Sequence, residues 1–121
     1  MKAGAGLPIA LLIAISLAAP RGALALTLAD YEALLRSDTG RSQARTYLDG
    51  VGAGIATYAI QDTLDGRTKR FCFHGQRLRG ELLAGLIDVT LTNQPLLRDA
   101  ASQMPVEAVV WIGLEQQFPC S

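Results

Sequence analysis

The chain has little histidine, little cysteine and no surplus of charge: one histidine, two cysteines, and 11 basic residues against 11 acidic ones in 121. One histidine, His74, beside cysteines expected to be oxidised supports no Ser-His-Asp or Cys-His arrangement. Metal centres need clustered His, Cys or carboxylates, and none is grouped here. Balanced charge excludes the basic footprint of a nucleic-acid binder and equally a polyacidic tail. No segment alternates apolar and polar residues with period two between turn signals, which argues against a β architecture. Repeats, low-complexity tracts and linkers are also absent.

Other apparent signals have plain readings. Gly50-Val51-Gly52-Ala53-Gly54 is rich in glycine, yet no strand precedes it and no Gly-Lys-Ser/Thr follows, so it is not a phosphate loop. Asp62 and Asp65, and likewise Glu107 and Glu115, are spaced as solvated helix faces. A glycosidase-type carboxylate pair would need a cleft that so small a domain rarely offers. The expectation is a non-enzymatic protein with no catalytic residue, no cofactor and no metal.

What is present begins with an export leader. Lys2 is a positive start, Leu7–Ala19 is almost wholly apolar, and Ala23-Leu24-Ala25 has the small-x-small spacing of a signal peptidase site. The apolar run is shorter than the roughly 20 residues of a spanning helix. Cleavage after Ala25 is expected, leaving residues 26–121 as one domain with no membrane segment. An uncleaved N-terminal anchor is the alternative. Lys2 and Arg21 would leave with the leader, so nine basic residues would face eleven acidic ones, a net charge of about −2.

In a small exported domain, two cysteines read as a disulfide, and Cys72 and Cys120 allow one intramolecular pairing. It would tie mid-chain to the penultimate residue, with a chain-entropy ceiling of about 4 kcal/mol. A core this small is marginal without such help.

The apolar spacing is helical throughout. Leu28, Tyr31, Leu34 and Leu35 mark a short first helix, with Asp30 and Glu32 in its first turn. Ser37-Asp38-Thr39-Gly40 ends it and offers caps to the next. A long second helix is expected from about Ser42 to Leu64, with Tyr47, Leu48, Val51, Ile55, Tyr58 and Leu64 on its apolar face. Gly50 and Gly54 share a face and predict close approach of a neighbouring helix or a second subunit; a kinked helix is the alternative. Asp65-Gly66-Arg67 turns the chain into a loop carrying Cys72. A third helix, about Leu78 to Asn93, is apolar on two faces (Leu82, Leu86, Val89 and Leu83, Ile87, Leu91) and so belongs mid-bundle. Residues 95–101 read as a short turn or helix. A last helix from about Pro105 to Phe118 carries Val106, Val109, Val110, Gly113, Leu114 and Phe118. The expected architecture is all-α, a small four-helix bundle with one disulfide.

Candidate binding residues lie on the loop and beside the last apolar stripe. Arg67, Lys69 and Arg70 cluster on the loop held by the disulfide, where binding residues often sit; a solvated loop is the alternative. His74 reads as a loop residue or a pH-sensitive contact. Trp111, between Glu107 and Glu115 at four-residue steps, reads as an interface anchor or as a ring packed on the adjacent helix.

Longer motifs point to a family. Tyr47-Leu48-Asp49-Gly50-Val51 resembles a Tyr-aliphatic-x-Gly-Val motif, and Phe71-Cys72 a central aromatic-Cys. Pro95 matches a proline after the third helix, and Gly113-Leu114-Glu115-Gln116-Gln117-Phe118-Pro119-Cys120 resembles a terminal Ala-Leu-x-x-x-Phe-Pro-Cys. These are motifs of the Rap/Tai family of periplasmic immunity proteins, whose known members protect bacteria against type VI secretion amidase effectors. The resemblance spans roughly Ala44 to Cys120. The chain departs from it at His74, where relatives commonly have proline, and at Gly113, where alanine is usual.

The resemblance implies an all-α periplasmic protein, often a homodimer, that blocks the active site of a peptidoglycan amidase without catalysis. Arg67, Lys69, Arg70 and His74 would then give polar contacts and Trp111 a hydrophobic anchor. Two other readings of the same features are an envelope binding protein of this family with no toxin partner, and a small acid-activated periplasmic chaperone that exposes apolar surface when its carboxylates protonate.

Overall fold

A computed structural model describes residues 25–120. The expected export leader, residues 1–25, lies outside them except for Ala25. The described residues form five helices and no named strand: α1 (Leu28–Leu34), α2 (Asp38–Leu64), α3 (Gly80–Asn93), α4 (Pro95–Ala100) and α5 (Val106–Gln117). The fold is all-α, with four main helices and the short α4 after Pro95.

Thr27 caps α1, its Oγ1 accepting from the Asp30 N–H at 3.1 Å. Ser37 caps α2 in the same way, accepting from Gly40 at 3.0 Å. Because Ser37 is the cap, α2 starts at Asp38, a turn before the Ser42 expected from the apolar stripe. The entries of α1 and α5 are tied together by a single antiparallel bridge, Thr27 to Pro105, with Leu28 N–H donating to Met104 O and Val106 N–H to Leu26 O.

α3 packs on α2 at one side and on α5 at the other, the central place its two apolar faces require. Leu83, Ile87 and Leu91 are buried, as is Leu86, while Leu82 is half-buried and Val89 is exposed. The core closes with Leu28, Leu48, Val106, Val109, Val110 and Leu114, all fully buried. Thr90 is equally buried and spends its hydroxyl on the Leu86 carbonyl at 2.7 Å.

The N-terminus of α3 has no cap from its own Arg79. Asp49 of α2 does the work instead: its Oδ1 accepts from the Gly80 N–H at 2.6 Å. A carboxylate at this position also opposes the positive end of the helix dipole.

Two expectations for α2 need correction. Gly50 and Gly54 do not support a helix crossing within the chain, since a Cβ at either would meet open space. The close approach falls at Gly52, where a Cβ would run into the Leu78 carbonyl of the segment returning over α2. The second correction concerns the end of α2, where Tyr58 is 47% exposed and Leu64 75%. At 27 residues α2 is roughly 40 Å long, whereas α3 and α5, of 14 and 12 residues, reach only about 20 Å. The last turns of α2 therefore outrun their partners.

Gly113 sits where α5 crosses α3; a Cβ there would lie 2.5 Å from Thr90 Oγ1 and 2.8 Å from Leu86 Cγ. Cys72 and Cys120 are bridged across 48 residues, with Cα atoms 5.1 Å apart. The Cys72 N–H also donates to Phe118 O at 2.8 Å, so the loop is pinned to the end of α5 twice.

Candidate functional site

The expected site residues fall in two environments around the loop of residues 65–79. Gly66 (φ 70°) turns the chain off α2, and the Arg67 N–H closes onto Asp62 O at 2.9 Å. Arg67 then folds back on the end of α2, its guanidinium 3.5 Å from Asp62 and 3.8 Å from Asp65. Arg70 reaches across to α5 and pairs with Glu115 at 3.4 Å. Glu115 also accepts from Trp111 Nε1 at 2.6 Å.

Trp111 is built into an aromatic cluster. Its ring meets Phe71 edge-on at 4.8 Å between centroids and Tyr58 at 5.7 Å, and Phe71 in turn lies 5.2 Å from Phe73. Such edge-to-face pairs add about 0.5–1.5 kcal/mol each beyond area burial. Arg70 and Trp111 thus converge on one carboxylate and hold the loop against α5.

Lys69 and His74, together with Phe71 and Phe73, line a groove of about 510 Å³ walled on the α2 side by Ala56, Ile60 and Thr63, and Lys69 also borders a small cavity with Arg70 and Trp111. Lys69 makes no ion pair among the described residues. Ile60 is 63% exposed, and with Leu64 it continues an apolar edge past the groove. Sequence reasoning missed Ile60 because it lies off the apolar stripe; an isoleucine on a polar face was the available signal.

His74 stands at φ 51° and Gly75 at φ 79°, and Gln76 N–H closes the turn onto Phe73 O at 3.0 Å. Both central residues at positive φ make a tight turn of the type I′ class. Proline, with φ held near −65°, could not take His74's conformation.

On the opposite face of α2, Tyr47 links three segments. Its hydroxyl accepts from the Leu26 N–H at 3.1 Å and donates to Glu107 Oε1 on α5. Burial, followed by the hydrogen bond to Glu107, pushes the phenol above its ordinary value. It therefore remains a donor at neutral pH. The other Glu107 oxygen, Oε2, is buried and has no hydrogen-bond partner among the described residues.

Among the described residues no group of three or more His, Cys, Asp or Glu side chains gathers as for a metal, and no helix is long and apolar enough to cross a membrane. The geometry offers surfaces: an apolar groove rimmed by Lys69 and His74 on a doubly pinned loop, and a second groove between α2 and α5. No protein-family model, curated protein or solved structure matches the chain.

Proposed function

We propose that the chain is a periplasmic immunity-type protein that binds a type VI secretion peptidoglycan amidase and occludes its active site. The observation that carries this reading is the doubly pinned loop beside an unpacked apolar edge. Lys69 and His74 project from a segment held by the Cys72–Cys120 bridge and the Cys72–Phe118 hydrogen bond, next to the exposed Ile60 and Leu64. A loop ordered before binding loses less conformational entropy when it docks. An exposed aliphatic edge flanked by charge has the make-up of an interface centre with a polar rim. The terminal Phe118-Pro119-Cys120 and the Phe71-Cys72 pair support the same reading through the Rap/Tai resemblance.

The mechanism is steric. The loop and the end of α2 enter the enzyme's cleft and exclude peptidoglycan, and no bond is made or broken. In this docking Lys69 and His74 give polar contacts and Ile60 the apolar anchor. Arg67 and Arg70, engaged with Asp62, Asp65 and Glu115, shape the loop and contribute less directly.

The test is a pull-down of oxidised residues 26–121 from the organism's own envelope extract at neutral pH, read by mass spectrometry. Stoichiometric recovery of a peptidoglycan amidase is the expected result. Recovery of the protein alone would favour an envelope family member without a toxin partner.

A further inference from the structure

The second groove has its own chemistry. It holds about 600 Å³ between α2 and α5 and is lined by Tyr47, Gly50, Gly54, Tyr58, Glu107 and Trp111, among others. Gly50 and Gly54 form an open floor, because nothing lies within 4 Å of where their Cβ atoms would be. Tyr58 and Trp111 stand edge to face at 5.7 Å on one side. Tyr47 stands about three turns before Tyr58, toward the N-terminus of α2, joined to Glu107.

The charge is one-sided. Glu107 is the single charged residue in the lining, and no lysine or arginine joins it there. It forms no ion pair among the described residues; its Oε1 accepts from the Tyr47 hydroxyl, and its buried Oε2 has no donor among those residues. A carboxylate with no cationic partner among low-dielectric walls focuses negative potential into the groove. The faces of tyrosine and tryptophan rings carry the negative end of the ring quadrupole and so attract the same sign of guest. Anions are disfavoured in such a site, and neutral polar groups gain less than cations.

We propose that the α2–α5 groove receives a lysine or arginine side chain from a polypeptide partner. Cation–π contact with Tyr58 and Trp111 and the charge of Glu107, one turn before Trp111 on α5, hold the cationic head, while the aliphatic stem lies over Gly50 and Gly54. The groove is open along its length, with Tyr58 half-exposed. Small-molecule sites instead bury most of their ligand's surface, so a side chain delivered by a larger partner fits this shape better. The groove lies on the face of α2 opposite Ile60, and its occupant is independent of the amidase reading.

Trp111 is the only tryptophan, so its indole resonance reports on the groove. Titration of the oxidised protein with the capped tripeptides Gly-Lys-Gly and Gly-Arg-Gly, followed by NMR, should shift the Trp111 indole and Tyr58 ring signals saturably. The neutral Gly-Gln-Gly should not. Glu107→Gln should weaken the cationic peptides about tenfold, and about 0.5 M salt should weaken them also. Should Glu107→Gln disturb the fold through Tyr47, Gly54→Leu is the second variant: it grows into open space and should abolish the shifts with the fold intact. Equal response to the neutral peptide, or undiminished binding by Gly54→Leu, would overturn the proposal. So would Trp111 shifts that depend on protein concentration alone, which would place a second copy of the chain in the groove.

Discussion

At the residue scale, three glycines in one turn and a half of α2 have opposite consequences. Each costs about 1 kcal/mol of helix propensity relative to alanine. Gly50→Ala and Gly54→Ala add a methyl to open space, so each should raise stability by up to about 1 kcal/mol in urea denaturation. Gly52→Ala pushes a methyl into the Leu78 carbonyl and should lose about 1–3 kcal/mol. Gly113→Ala should also lose stability, because Thr90 and Leu86 at the crossing are buried and have little room to yield. Equal effects at Gly50 and Gly52 would contradict this packing. Titration adds a second residue-level expectation. Burial raises the Tyr31 phenol above its ordinary value, with Asp88 adding to the effect, and burial and Glu107 raise that of Tyr47. Both protonated phenols are favoured by the folded state. Their contribution is therefore complete below about pH 10, the unfolded value, and is lost as pH rises from there through the higher folded values. Urea midpoints should be flat in this respect from pH 7 to 9 and fall above 10, less steeply in Tyr31→Phe.

At the element scale, Asp49 substitutes for the cap that Arg79 cannot provide to α3. Asp49→Ala should cost about 1–2 kcal/mol by thermal or urea unfolding, with Asp49→Asn retaining part of it. Elements were also the level most legible in the sequence. The spacing of Leu83, Ile87 and Leu91 against Leu82 and Leu86 placed α3 in the middle, and the Pro95 and Pro105 positions marked the starts of α4 and α5 correctly. What the stripe does not encode is length relative to a partner. Tyr58 keeps the apolar pattern of α2 and meets Trp111 of α5 while staying half-exposed, whereas Leu64 falls on the Ile60 face, where α3 and α5 leave both exposed. The four-residue spacing of Gly50 and Gly54 identified a shared face without revealing whether anything covers it. The returning chain chose Gly52 instead, a tertiary fact with no local signature. The helix α2 starts earlier than its apolar stripe, which begins at Tyr47, because the cap chemistry of Ser37 sets the first turn.

At the scale of the whole molecule, the disulfide joins the candidate surface to the fold. Cys72 and Cys120 could be paired from the sequence because nothing else could pair with either. The grouping of Lys69 and His74 on one groove, and of Arg70 and Trp111 on Glu115, needed the course of the loop in space. The double variant Cys72→Ser, Cys120→Ser should lose up to about 4 kcal/mol, the loop-closure ceiling. Its loop should lose protection from amide exchange before α3 does, since α3 is held by the core and the loop by its two pins.

The most direct measurement is peptidoglycan hydrolysis by a type VI secretion amidase from the same organism, titrated with oxidised residues 26–121 and with the Ile60→Asp variant. The account predicts stoichiometric inhibition by the unaltered protein. It also predicts at least tenfold weaker inhibition by Ile60→Asp, with an unchanged melting temperature because Ile60 is exposed. Hydrolysis unaffected by the unaltered protein, or inhibition undiminished by Ile60→Asp, would contradict it.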